Sequence, residues 1–140
     1  MILLDTNAIS EIMRPAPDAD FMRWINSQPN LSIWTTAINI YEIRAGLKSM
    51  SIGRKRFALN AFFDRWIAEV LRGRIANFDE AAAECAAELA AGRRAKGFSI
   101  EARDTMIAGI VLANRATLAT RNVKHFADIA RSVVNPWEAR

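Results

Sequence analysis

The sequence predicts an α/β sandwich, with helices packed on both faces of a parallel sheet. Short apolar runs alternate with longer stretches of helical spacing along all 140 residues. No internal repeat, low-complexity tract or linker interrupts the alternation. With 51% hydrophobic and 24% charged residues, the chain can build one core under a solvated surface, so a single domain over residues 1–140 is expected.

The elements follow in order. Ile2-Leu3-Leu4 is too short for a free helix and suits a buried strand; Asn7 is then placed to cap a helix starting near Ala8. Arg14-Pro15-Ala16-Pro17 stops that helix, and Phe21, Met22, Trp24 and Ile25 give a second one its apolar side before Pro29. Residues 31–35 read as a strand. From Thr36 the spacing is helical, with Ile40, Ile43 and Leu47 on one face, Gly46 near the end and Glu42 one position off that seam.

Between residues 54 and 72 the set Phe57, Phe62, Phe63, Trp66, Ile67, Val70 and Leu71 marks one amphipathic helix with an aromatic face, ended by Gly73. Most of that face is expected in the core, with a partner surface as the alternative. Residues 74–78 form the third predicted strand, Asp79 a helix cap, and residues 80–95 an Ala-rich helix closed by Gly97. Ser99 can cap the next helix, in which Ile100, Ile107 and Val111 share a face and Asp104 fills the slot between them. A fourth strand over 117–120, a short helix over 123–130 and a last strand over 132–134 precede Asn135-Pro136-Trp137.

Composition narrows the function classes. The longest strongly apolar stretch, residues 106–113, falls well short of the ~20 needed to cross a bilayer. The opening Met-Ile-Leu-Leu-Asp carries no basic segment or cleavage site, so a cytoplasmic protein without a membrane partner is expected. Cys85 is the one cysteine, which excludes an intrachain disulfide and a Cys-based zinc site; it reads as a small core side chain on a helix. A net charge of +4 fits a polyanionic partner without identifying one. The chain has no P-loop pattern and neither a Ser/His/Asp nor a Cys/His set, because its single histidine, His125, follows Lys124 in a polar turn and reads as a surface residue.

Three carboxylates stand out against this background. Asp5 ends an apolar run, Glu42 borders an apolar seam and Asp104 interrupts one. Singly they read as a turn residue, a solvated helix position and a helix-start acid favoured by the dipole. Buried together they are costly unless a cation neutralises them. Ligands of such sheets gather beyond the carboxyl ends of the strands, where Asp5 and the turn Thr120-Arg121-Asn122 both fall. Converging there, the three could hold Mg²⁺ or Mn²⁺ through few protein oxygens and leave positions for water and a substrate phosphate. Hydrolysis of a phosphodiester fits best. A small Mg-dependent phosphatase is demoted because its usual second aspartate, two residues after the nucleophile, is here Asn7.

With these residues the chain resembles the PIN-domain ribonuclease toxins of bacterial toxin–antitoxin systems, of the VapC and FitB kind. The resemblance runs from Ile2-Leu3-Leu4-Asp5-Thr6-Asn7, through residues 36–46 (Thr-Ala-Ile-Asn-Ile-Tyr-Glu-Ile-Arg-Ala-Gly) and Asp104-Thr105-Met106-Ile107-Ala108, to Ala119-Thr120-Arg121-Asn122 and Val134-Asn135-Pro136-Trp137-Glu138. It implies a three-layer αβα sandwich with a five-stranded parallel sheet, and a Mg²⁺- or Mn²⁺-dependent endoribonuclease centre built from Asp5, Glu42 and Asp104. The family often carries a fourth acid where this chain has Asn122, whose amide oxygen can coordinate a hard cation but brings no charge. Thr6 and Thr120 would orient water or phosphate oxygens. Arg44, Arg103, Arg121 and Lys124 are candidates for RNA phosphate contacts.

The implied partners are an RNA substrate, a homodimer mate, and a cognate antitoxin that blocks the acidic site with an arginine and alone carries the pair onto operator DNA. A catalytically weak module acting mainly through antitoxin and operator binding is the alternative, kept open by Asn122.

Overall fold

Parallel pairing on both sides of one central strand sets the architecture in the computed structural model, which describes residues 1–98 and 101–139. The elements are β1 (Ile2–Leu4), α1 (Thr6–Ile12), α2 (Ala19–Asn26), β2 (Ile33–Thr36), α3 (Ala37–Ser49), α4 (Arg54–Trp66), β3 (Ile75–Ala76), α5 (Glu80–Ala95), α6 (Ala102–Ala113), β4 (Thr117–Ala119), a 3₁₀ segment (Val123–Ser132) and β5 (Val133–Val134). The sheet order is β3-β2-β1-β4-β5 with every pair parallel. Leu3 aligns with Trp34 on one side and Leu118 on the other.

Both faces of the sheet are buried, so its strands read as continuous apolar runs. Side chains alternate between faces, and the core divides accordingly. Leu3 and Leu118 pack with Ala82, Ile107, Val111 and Phe126 beneath α5, α6 and the 3₁₀ segment. Leu4 and Ala119 pack with Ile9, Phe21, Ile43, Phe63 and Leu71 on the side of α1 to α4. This is the expected αβα sandwich.

The Ala-rich composition of α5 has a packing cause. A Cβ on Gly109 of α6 would lie 2.5 Å from the Ala82 carbonyl oxygen and 2.7 Å from the Ala86 Cβ. Only small side chains on both helices permit that approach.

Several local readings shift. Asp5, not Asn7, caps α1: its carboxylate accepts the Thr6 N–H, and the helix begins at once because the strand ladder continues through the Asp5 N–H to the Ala119 carbonyl. Residues 30–32 form a 3₁₀ turn, so β2 is Ile33–Thr36. β3 keeps only two residues of the predicted 74–78, since the Arg74 side chain leaves to bond the Ile33, Asn30 and Val70 carbonyls at 2.8, 3.1 and 2.6 Å.

The helix expected over 54–72 is regular to Trp66 and then widens into a π turn, Ile67–Leu71, before Arg72 and Gly73 turn left-handed at φ 48° and 85°. Its aromatic face splits: Phe63 and Trp66 enter the core, while Phe57 and Phe62 stay exposed. The segment over 123–130 is 3₁₀ and kinked at Phe126 and Ile129. Glu101 caps α6; the Ser99 cap and the place of Ile100 on the seam lie outside the described residues. Cys85 is half-buried on α5 rather than in the core.

Candidate active site

Chain connections leave β1 toward β2 and β3 on one side, and β4 and β5 fill the other, so the strand order reverses between β1 and β4 while all strands stay parallel. Crevices at such a switch collect ligands. Asp5 follows β1 and Thr120 follows β4, and the Thr120 hydroxyl donates to Asp5 Oδ2 across that crevice at 2.7 Å.

Asp5 is 5% exposed and its carboxylate accepts three hydrogen bonds. Oδ1 accepts from the Thr6 N–H at 2.9 Å and from Asn39 Nδ2 at 2.8 Å. Asn39, wholly buried on α3, is itself fixed by the Thr36 hydroxyl, which donates to its Oδ1 at 2.6 Å and accepts its backbone N–H. Its Nδ2 also donates to the Thr6 hydroxyl, and that hydroxyl donates to Glu42 Oε1 at 3.1 Å. One chain of hydrogen bonds thus runs from the end of β2 to two of the acids. Fully satisfied buried networks of this kind hold one geometry.

Glu42 comes from α3 and Asp104 from the first turn of α6, where its N–H donates to the Glu101 cap at 2.7 Å. Burial pushes the Glu42 carboxyl above the ordinary glutamate value, and the charges of Asp5 and Asp104 push the same way, against the Thr6 hydroxyl and Arg103. Burial also raises Asp104, helped by Glu101 and Asp5 and opposed by His125. Glu42 and Asp104, on separate helices, thus both feel the charge of Asp5.

Cations fit this donor set. Hard carboxylate oxygens repel one another, and a divalent ion relieves the repulsion. Among the described residues no three acidic, Cys or His side chains crowd closely enough to ligate one ion directly. Mg²⁺ suits such spacing, because it keeps several of its waters and takes only one or two carboxylates.

The basic candidates distribute unevenly. Arg103 lies 3.6 Å from Glu42 Oε2 and 3.3 Å from Glu101 Oε1, and Lys124 lines a cleft with Asp104. Arg121 lies over the Trp137 ring, 4.1 Å from its centroid, and 3.6 Å from Glu11 Oε1. Arg44 turns to α4, pairing with Asp64 at 2.7 Å above the Phe63 ring. Asn122 follows Thr120 on the exposed turn, its N–H donating to the Thr120 hydroxyl.

Two site residues escaped sequence reasoning. Asn39 lies three positions before Glu42 on the same helix, a spacing that places both on one face and could have drawn notice. His125 is exposed as expected, yet its Nδ1 lies 3.0 Å from Asp104 Oδ2. Against the ionised form of Asp104, which only accepts, Nδ1 would be the donor. No sequence signal joins these two, because the contact spans twenty-one positions and two elements.

The PIN domain model matches residues 2–132. The chain is 33% identical over 138 residues to the VapC ribonuclease Y4jK of Sinorhizobium fredii, covering 99% of each. It is 36% identical over 139 residues to the toxin FitB of Neisseria gonorrhoeae, covering 98% of this chain and 99% of that one. Among solved structures, FitAB bound to an IR36 DNA fragment superposes with a TM-score of 0.90 at 34% identity, over 100% of this chain and 98% of that one.

Proposed function

The chain belongs to the PIN-domain family, and from that premise we propose that it is the toxin of a type II toxin–antitoxin pair, a Mg²⁺- or Mn²⁺-dependent endoribonuclease acting on structured RNA. One observation supports the reading: Asp5 lies at the switch point of the sheet, and its charge adds to the burial that raises the carboxyls of Glu42 on α3 and Asp104 on α6.

Asp5, Glu42 and Asp104 would hold the ion, in part through the waters it keeps, with the Asn122 amide as a neutral fourth donor. When bound, it supplies positive charge to the substrate phosphate and acidifies water at its surface. The chain's own residues do the rest. Thr120, Asn39 and Thr6 fix the carboxylate oxygens, so that little reorganisation accompanies reaction. Arg103 and Lys124 attract the RNA backbone and offset the acids' repulsion of phosphate. In hydrolysis a water oxygen bonds to phosphorus as one ester P–O bond breaks, yielding a phosphate monoester and a hydroxyl.

FitAB, seen bound to DNA, supports the matching assembly: a homodimer of this chain with a cognate antitoxin, whose arginine would compete with the metal at the acids and which alone would contact operator DNA. No helix among the described residues is long and apolar enough to cross a membrane.

Purified chain incubated with an RNA hairpin should cleave it with Mn²⁺ or Mg²⁺ and stop with EDTA, and Asp104→Asn should be inactive at unchanged fold. RNA binding without turnover under any divalent ion would instead select the module that acts through antitoxin and operator.

A further inference from the structure

A second feature adjoins Asp104. The end of α5, the start of α6 and the 3₁₀ segment line a cleft of about 400 Å³, with Phe98, Asp104, Lys124 and His125 among its lining residues. Phe98 is 62% exposed, an unusual state for a phenyl ring.

Its backbone is nonetheless held. After α5 the Gly97 N–H donates to the Arg94 carbonyl at 3.1 Å and the Phe98 N–H to the Arg93 carbonyl at 2.9 Å, with Gly97 left-handed at φ 73°. This is the Schellman closure of a helix, which sets where the next residue emerges. The floor is equally firm. Arg93, 6% exposed, clamps Asp128 through Nε and Nη2 at 2.7 and 2.9 Å and reaches the Thr105 hydroxyl of α6 through Nη1 at 2.9 Å.

We propose that this cleft holds one unpaired nucleobase of the RNA, next to the bond to be cut, stacked on Phe98 with Lys124 on an adjoining phosphate. The inference rests on the ribonuclease reading above. Three features favour a base. Asp104, a proposed metal-binding carboxylate, lines the cleft, so RNA bound at the ion reaches into it. Its volume lies in the range of small-ligand sites. An exposed ring beside a cation is the pairing that binds unpaired nucleotides, and sequence-specific RNA recognition targets splayed bases in loops. Phe98 and Lys124 would then choose where a structured RNA is cut.

The test uses full-length protein in EDTA and an RNA hairpin carrying 2-aminopurine at successive loop positions. Wild type should quench one position strongly. Phe98→Leu should abolish that quenching and weaken binding about five- to a hundredfold, the range of one lost stack, while Phe98→Trp retains both. With Mn²⁺ added, Phe98→Leu should also spread cleavage over neighbouring bonds. An unchanged melting temperature confirms that Phe98→Leu folds.

Wild type that cuts the hairpin while Phe98→Leu quenches and cuts identically overturns this inference and leaves the ribonuclease reading intact. Wild type that neither binds nor cuts overturns both. Weaker antitoxin inhibition of Phe98→Leu with unchanged quenching assigns the cleft to the antitoxin and also overturns it.

Discussion

Two groups of carboxylates meet opposite fates in this molecule. At the edge of the sheet, Glu42 and Asp104 are lifted above their ordinary pKa values by burial and by other acids. Elsewhere in the scaffold, Asp128, exposed on the 3₁₀ segment, is held low by hydrogen bonds and charge from Arg93. Glu11, only 3% exposed, is also held low: burial raises it, but the Trp137 indole, the Asp18 N–H and Arg14 outweigh burial. The scaffold pairs these acids with donors and arginines, and the edge leaves the charge of Glu42 and Asp104 short of compensation where a cation and a phosphate are to enter. Unsatisfied charge costs stability, so its place marks the task.

The sharpest way to break this contrast is at the edge. Asp5→Asn and Asp104→Asn should each lower RNA cleavage by ~10³-fold or more, since several kcal/mol of charge stabilisation goes with the ion. Single-turnover assays read the loss, and a melting curve at or above wild type shows that the fold persists. Cleavage by both variants at wild-type rate would remove them from the site.

The scaffold should answer in the other direction. Asp128→Ala leaves the Arg93 guanidinium buried and largely unpaired and should cost about 3 kcal/mol in urea unfolding. Replacing both partners, Arg93→Met with Asp128→Leu, should recover most of that loss, because two apolar groups need no compensation. A double variant as unstable as the single one would mean that the pair organises the segment and does more than neutralise itself.

Asn39→Ala tests the link between the regions, since Asn39 is scaffold by burial and site by contact. Activity or metal affinity should fall ~10- to 100-fold, as for outer-shell partners generally. Raised metal concentration should restore part of it. A loss confined to stability would place Asn39 with the scaffold alone.

The smallest effect is on stability at the edge itself. Glu42→Gln should raise the melting temperature at neutral pH by about 2–4 °C, equivalent to ~1 kcal/mol. The sign follows from linkage. A carboxyl whose folded pKa is raised favours folding while protonated, and that benefit disappears as pH rises through the raised value. The advantage of Glu42→Gln should therefore vanish below the ordinary glutamate pKa and be full above the raised one. Asp128 behaves oppositely: its contribution is present above the ordinary aspartate pKa and is lost as pH falls through the depressed one. Melting temperatures of wild type and both single variants across pH 3 to 8 (roughly the carboxylate range) separate the two slopes.

The sequence by itself determined the alternation of strands and helices, the burial of Leu3, Leu4 and Leu118, and the three acids worth watching, because apolar periodicity and a charge at an apolar position are local facts. Caps and ends were less legible. Asp5 and Asn7 are both good cap residues, and only the ladder bond from Asp5 to Ala119 decides between them. Likewise nothing local tells that Phe63 goes inward while Phe57 remains outside.

Tertiary structure alone decided how the site is wired. That Asn39 orients Asp5, that Thr120 spans the switch point and that His125 reaches Asp104 depend on which strands lie side by side, and strand order is set by the packing of the whole chain. Hydrogen bonds act over about 3 Å and have no sequence period, so a pattern that names the acids cannot name the partners that hold them.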